Sequence, residues 1–140
     1  MSTEKTTQKI RLKRAYEAAQ STDGRRVLVE RLWPRGVRKE ALKLDAWLKE
    51  VAPSTELRQW FGHDPERFSE FARRYRRELR ERAAASAVRE LRAYARREPL
   101  TLIYAAKDEE HNGAAVLCAV LRRSRTRAAQ KPSKARKART

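Results

Sequence analysis

The chain has 140 residues, one cysteine and a net charge of +17 at pH 7, with a pI near 11.0. That length suffices for one domain with its own core. A lone Cys118 excludes an internal disulfide and a sulfur-based metal motif, and no apolar stretch approaches the roughly 20 residues that span a bilayer.

In chain order, residues 1–8 are polar, carry no hydrophobic signal region and are expected to be disordered, which makes the cytoplasm the expected location. From Ile10 to Tyr16 apolar and basic residues alternate, which predicts an edge strand with one wet face. Ser21 to Gly24 are turn formers, and Arg26 to Trp33 predicts a second strand ended by Pro34. The connector is short for a crossover, so the relative direction of these two strands stays open. Leu44, Trp47, Leu48 and Val51 fall at i, i+3, i+4 and i+7, predicting a short amphipathic helix that stops before Pro53. Ser54 to Phe61 predicts a further helical turn closing at Gly62. Asp64-Pro65-Glu66 then combines an N-cap carboxylate, a first-position proline and a first-turn acid. Phe68, Phe71, Ala72, Tyr75 and Leu79 form the buried stripe of the helix that follows, opposite Arg67, Arg73, Arg74, Arg76, Arg77 and Arg80. Ala83 to Arg97 is expected to be helical, with Val88, Leu91 and Ala95 inward, until Glu98-Pro99 breaks it. Leu100 to Ala106 is a continuous apolar run rich in strand formers, the pattern of a buried parallel strand. A polar turn, Lys107 to Gly113, leads into a packed helix from Ala114 to Leu121.

These elements predict an α/β fold: a small, mainly parallel sheet of about three strands packed by four to five helices, in a single domain over residues 9–122. From Arg122 to Thr140 there are nine Lys or Arg residues and no acid, about half of the charge excess. Residues 123–140 therefore read as a disordered basic tail. Such a tail can bind nucleic acid non-specifically by counterion release, or merely keep the chain in solution. The two stand about even.

Several segments resemble the YeaO-like branch of the domain-of-unknown-function 488 family. They are Arg26-Val27-Leu28-Val29-Glu30-Arg31-Leu32-Trp33-Pro34-Arg35-Gly36, Trp47 to Arg58, Trp60-Phe61-Gly62-His63-Asp64-Pro65, Phe71 to Tyr75, and Leu102 to Asn112. The resemblance covers about residues 9–122 and implies a small, mainly parallel sheet with helices packed on it, but no established activity. Glu30 departs from it, since this branch usually has Asp there; the carboxylate is kept on a longer arm. The wider family often carries a Cys-His-Arg segment after its last core strand. Glu110-His111-Asn112 stands in that place here, so thiol chemistry by that analogy is not available.

In an open α/β sheet, ligands bind beyond the carboxyl ends of the strands. Two stretches are expected to meet there, one leaving Val29 and one leaving Ala106. Arg31 and Arg35 could clamp a phosphate or carboxylate beside Glu30, which would then serve as base or orient a sugar hydroxyl; a structural ion pair explains the same residues equally well. His111 is the candidate for proton transfer, with Asp108 setting its tautomer, although Asp108 is equally an ordinary N-cap. Trp33, His63, Lys107 and Asn112 complete the candidate ligand-binding set. Asp64 next to His63 is read as structural. No Gly-rich phosphate loop, nucleophile elbow or zinc spacing is present, which argues against the common nucleotide-fold and hydrolase mechanisms and leaves the cofactor unknown. A metal site from His63 and His111 plus carboxylates is conceivable, but two histidines and no second cysteine weigh against it. The expected partner is an anionic small molecule such as a nucleotide or sugar phosphate. The alternative is a nucleic-acid-associated protein that uses the arginine face of residues 67–80 and the basic tail. No membrane association is expected.

Overall fold

The computed structural model describes residues 10–130. Four strands, β1 (Ile10–Arg14), β2 (Arg25–Leu28), β3 (Ala46–Trp47) and β4 (Leu100–Tyr104), form one sheet in the order β1-β4-β2-β3. Every neighbouring pair is parallel. The helices are α1 (Lys39–Leu42), α2 (Thr55–Phe61), α3 (Phe68–Glu78), α4 (Arg82–Arg97) and α5 (Gly113–Gln130). The α/β fold expected from the sequence is thus present, with one strand more than foreseen.

All five residues of β4 are buried. It is hydrogen-bonded on both edges, Leu100 to Tyr104 facing Ile10 to Arg14 of β1 and Leu100 to Ile103 facing Arg25 to Leu28 of β2. A strand covered on both faces has no wet side, hence its unbroken apolar run. One face of the sheet, with Val27, Leu100, Leu102 and Tyr104, packs against Phe71, Tyr75, Leu91 and Leu117 of the long helices. The other face buries Leu28 and Ile103 under Leu42 of α1, with Trp33, Val37, Leu44 and Trp47 around them. β1 is an edge strand as the alternation predicted, and it runs parallel to β2 with β4 between them.

The helix predicted over Leu44 to Val51 does not form. Lys43 ends α1 in the left-handed region (φ 46°). The Asp45 N–H then donates to the Arg26 carbonyl at 2.8 Å and the Leu48 N–H to the Leu28 carbonyl at 3.0 Å, which makes β3; a 3-10 turn, Lys49–Val51, follows. The apolar set that mimics a helical face divides between the two sides of the sheet. Leu44 and Trp47 join the smaller cluster, Leu48 and Val51 the larger one. β2 is also shorter than the apolar run suggested: the chain turns away after Val29 and leaves Leu32 62% exposed. Helix α5 is described as far as Gln130. Residues 1–8 and the rest of the basic tail, 131–140, lie outside the described residues.

A buried polar knot ties the start of β2 to β1. Asp23 and Arg26 are each 4% exposed. The Asp23 carboxylate accepts from Arg26 Nη1 at 2.6 Å, from Lys13 Nζ at 2.9 and 3.0 Å, and from the Gln20 N–H at 3.0 Å. The same guanidinium donates to the Leu42 carbonyl at 3.0 and 2.7 Å. Burial alone would raise the Asp23 pKa, but Lys13, the Gln20 N–H and Arg26 bring it below the usual carboxylate value.

Candidate functional site

Beyond the carboxyl ends of β2 and β4 lies a cleft of about 580 Å³, the position expected for a ligand site in a parallel sheet. Glu30 closes its inner end. The Glu30 carbonyl accepts from the Trp47 indole at 2.6 Å, and its carboxylate accepts from the Ala105 N–H at 2.9 Å. The side chain thereby takes over where the β2–β4 ladder stops, one residue past the Val29 N–H to Ile103 carbonyl bond of 3.2 Å. Burial pushes the Glu30 carboxyl above its usual pKa; the Ala105 N–H, then Arg58 and His63, pull it part of the way back.

The loop after Glu30 forms one wall. Trp33 donates its indole N–H to the Val37 carbonyl at 2.7 Å and packs edge-on against Trp47, 5.5 Å between centroids. Pro34 and Arg35 follow it on the wall, and Tyr16 reaches across to the Arg35 carbonyl at 3.2 Å. Opposite stand Arg58, Phe61 and His63. Ser54 caps α2 by accepting from the Leu57 N–H, and its hydroxyl donates to Glu78 at 2.6 Å, so the helix that carries Arg58 is fixed at its start. At the other end, Gly62 and His63 are both left-handed (φ 53° and 60°). For His63 this is an unusual conformation, and it brings the residue onto the cleft wall.

Ala105 to Asp108, together with the start of α5, closes the third side. Asp108 Oδ1 accepts from the N–H groups of Glu110 (3.0 Å) and His111 (2.9 Å), and its Oδ2 lies 2.9 Å from His111 Nδ1. These contacts, the His111 N–H foremost, hold the Asp108 carboxyl below its usual pKa. Asn112 is the N-cap of α5: Oδ1 accepts from the Ala115 N–H at 2.8 Å while Nδ2 donates to the Asp108 carbonyl at 2.8 Å. Gly113 and Ala114 at the helix start line the cleft. Their N–H groups belong to the first turn, which has no intrahelical partners and carries the positive end of the helix dipole.

Seven of the nine residues singled out from the sequence line this cleft: Glu30, Trp33, Arg35, His63, Lys107, Asp108 and Asn112. The remaining two do not. Arg31 turns to the Ala52 and Pro53 carbonyls at 3.0 and 3.3 Å. The His111 ring is held by Asp108 and packs edge-on against Phe68, centroids 5.1 Å apart. Two other arginines matter and were not foreseen. Arg58 lines the cleft, and Arg14 donates to the Ala106 and Ala105 carbonyls at 2.9 and 3.3 Å, which holds the segment leaving β4 in place. Arg58 lies one turn before Phe61 on α2, beside the buried Leu57, a position from which a long side chain reaches past the core edge. Among the described residues, no three His, Cys, Asp or Glu side chains are grouped as a metal's donor set.

The chain is 45% identical over 113 residues to an uncharacterised protein of Mycobacterium tuberculosis, covering 81% of this chain and 93% of that one. It is 43% identical over 113 residues to the uncharacterised protein YeaO of Escherichia coli, covering 81% and 96%. No solved structure matches it significantly. With those relatives, and with a family profile that matches residues 9–138, the chain belongs to the YeaO-like DUF488 family, in the group described as the inactive DUF488-N3 subclade.

Proposed function

We propose that this chain is a cytoplasmic binding protein for an anionic small molecule, such as a nucleotide or sugar phosphate, taken up in the cleft beyond β2 and β4 and not turned over there. The observation that carries the proposal is the lining. Arg35, Arg58 and Lys107 stand around a largely apolar hollow whose two carboxylates, Glu30 and Asp108, are already engaged by backbone N–H groups. A phosphate or carboxylate would meet guanidinium forks suited to bidentate contact and the first turn of α5, while Trp33, Pro34 and Phe61 would cover the apolar part of the same molecule.

Binding without turnover is favoured by two facts. The subclade is described as inactive, and the His111 ring, the expected proton carrier, is absent from the lining. Glu30 is then a positioning carboxyl that joins the two strand ends. Its raised pKa leaves it able to donate a hydrogen bond to an anion when protonated.

The test is thermal shift of the full chain with AMP, glucose 6-phosphate and inorganic phosphate. A compound at 100 times its Kd adds about 2.7 kcal/mol of stability, a rise of several degrees. Arg58→Gln and Lys107→Gln should abolish that rise. No shift with any anionic metabolite, or a shift unchanged in both variants, would overturn the proposal.

A further inference from the structure

On the helical side of the molecule a second groove, of about 570 Å³, runs between α3, α4 and α5 and shares no lining residue with the cleft. Five arginines surround it: Arg76 from α3, Arg80 from the turn that follows it, Arg89 and Arg92 from α4, and Arg123 from α5. Its floor is apolar, with Leu79, Val88 and Val120. No acidic side chain lines it, and among the described residues none of the five has an ion-pair partner.

That is unlike Arg67, Arg73 and Arg74 of the same stretch. Arg73 and Arg74 share Glu70 at 2.6 and 2.7 Å, and Arg67 lies 3.7 Å from Asp64 and over the Trp60 ring. The arginine-rich face of residues 67–80 is therefore two surfaces, one neutralised within the fold and one left bare. Arg92 shows the consequence: its Nε is buried without a hydrogen-bond partner. A buried polar group left unsatisfied costs free energy. Burial, and then neighbouring Arg96, also pull the Arg92 guanidinium below its usual pKa, as expected of a cation with no anion beside it.

We propose that this groove holds the sugar-phosphate backbone of a nucleic acid. Two features favour a repeating anion over a single one. Arg89 and Arg92 stand about 4.5 Å apart along α4 at 1.5 Å rise per residue, and Arg76 and Arg80, the latter just past the end of α3, line the groove with them. Beyond Arg123 the sequence adds seven more Lys or Arg residues and no acid up to Thr140, a repeating charge in the sequence that suits a repeating anion. Guanidinium forks suit phosphodiester oxygens, and contacts of this kind carry no base recognition. Binding should therefore be indifferent to sequence.

The experiment is fluorescence anisotropy of the full chain with a labelled single strand of about 20 nucleotides and the matching duplex, over a salt series. The groove pair Arg80→Gln/Arg89→Gln is compared with a charge-matched pair on the opposite face of the sheet, Arg38→Gln/Lys39→Gln. With a salt slope near −0.9 per phosphate contact, each lost contact should weaken Kd roughly eightfold at about 0.1 M salt and flatten the slope by about one. The expected result is a large loss in the groove pair with little change in the control pair and equal melting temperatures for both. Equal weakening in the two pairs would assign the effect to net charge and overturn the proposal. So would unchanged binding in the groove pair, no binding of either oligonucleotide by the wild-type chain, or binding of inorganic polyphosphate alone.

Discussion

Asp23→Asn removes one charge and little volume from the knot that joins β1 to β2, and so isolates what the buried ion pair contributes. In the wild-type chain the carboxylate faces Arg26 at 2.6 Å and Lys13 at 2.9 Å. The Arg26 guanidinium, equally buried, has the Leu42 carbonyl as its other acceptor. Removing one partner of a buried pair leaves an uncompensated charge and costs about 3–5 kcal/mol. At about 2.1 cal/mol/K of unfolding entropy per residue, one kcal/mol moves the melting temperature of a chain this long by about 3–4 °C, so a fall of about 10–17 °C is expected. The pH dependence gives a second check. The folded pKa of Asp23 lies below its unfolded value, so the stabilisation is present at neutral pH and is lost as pH falls through the folded pKa, below the usual value near 3.9. Urea unfolding of both chains at pH 7 and near pH 3 measures the gap and its closure. A loss under about 1 kcal/mol at pH 7, or a gap that persists unchanged in acid, would refute the reasoning.

Glu30→Gln should raise the melting temperature at pH 7. The folded pKa of Glu30 is raised, so its contribution is fully present below the unfolded value and is lost as pH rises through the folded one; scanning calorimetry should show the gain over wild type vanish near pH 4. Arg31→Ala should cost about 1–2 kcal/mol through the lost bonds to Ala52 and Pro53, measured by urea midpoint. Any anion that binds the cleft should bind this variant with an affinity close to wild type. Gly24→Ala should destabilise by at least about 2–3 kcal/mol in the same assay. Gly24 has φ +67°, and an added Cβ would overlap the Pro99 backbone carbonyl.

The parts of the fold that were legible in the sequence are those where one physical signal dominates. The unbroken apolar run of β4 has no other use than a strand covered on both faces. Asp64-Pro65-Glu66 sets the start of the helical region over residues 65–78, and the spacing of Phe71, Tyr75 and Leu79 names its buried side. Trp47 and Leu48 misled because a short strand followed by a 3-10 turn sends alternate residues to opposite faces of the sheet, and on paper that pattern resembles one face of a helix. In the candidate site, the position beyond the strand ends follows from the topology of a parallel sheet, and most of the polar residues noted there do meet. Which way a long side chain turns is decided by acceptors that sequence spacing does not reveal. Arg31 meets the free carbonyls of Ala52 and Pro53, 21 and 22 residues further along the chain. Arg58 lies on the short helix α2, and only the folded chain brings it to the cleft.

The most direct test of the cleft as the anion site is a proton-nitrogen NMR titration of the full chain with AMP and with inorganic phosphate. The expected result is a saturable shift of the amide signals of Ala105 to Lys107, His63, Gly113 and Ala114, which border the cleft. Shifts confined to the amides of α4 and of the stretch from Arg76 to Arg80, or no saturable shift with either compound, would contradict it.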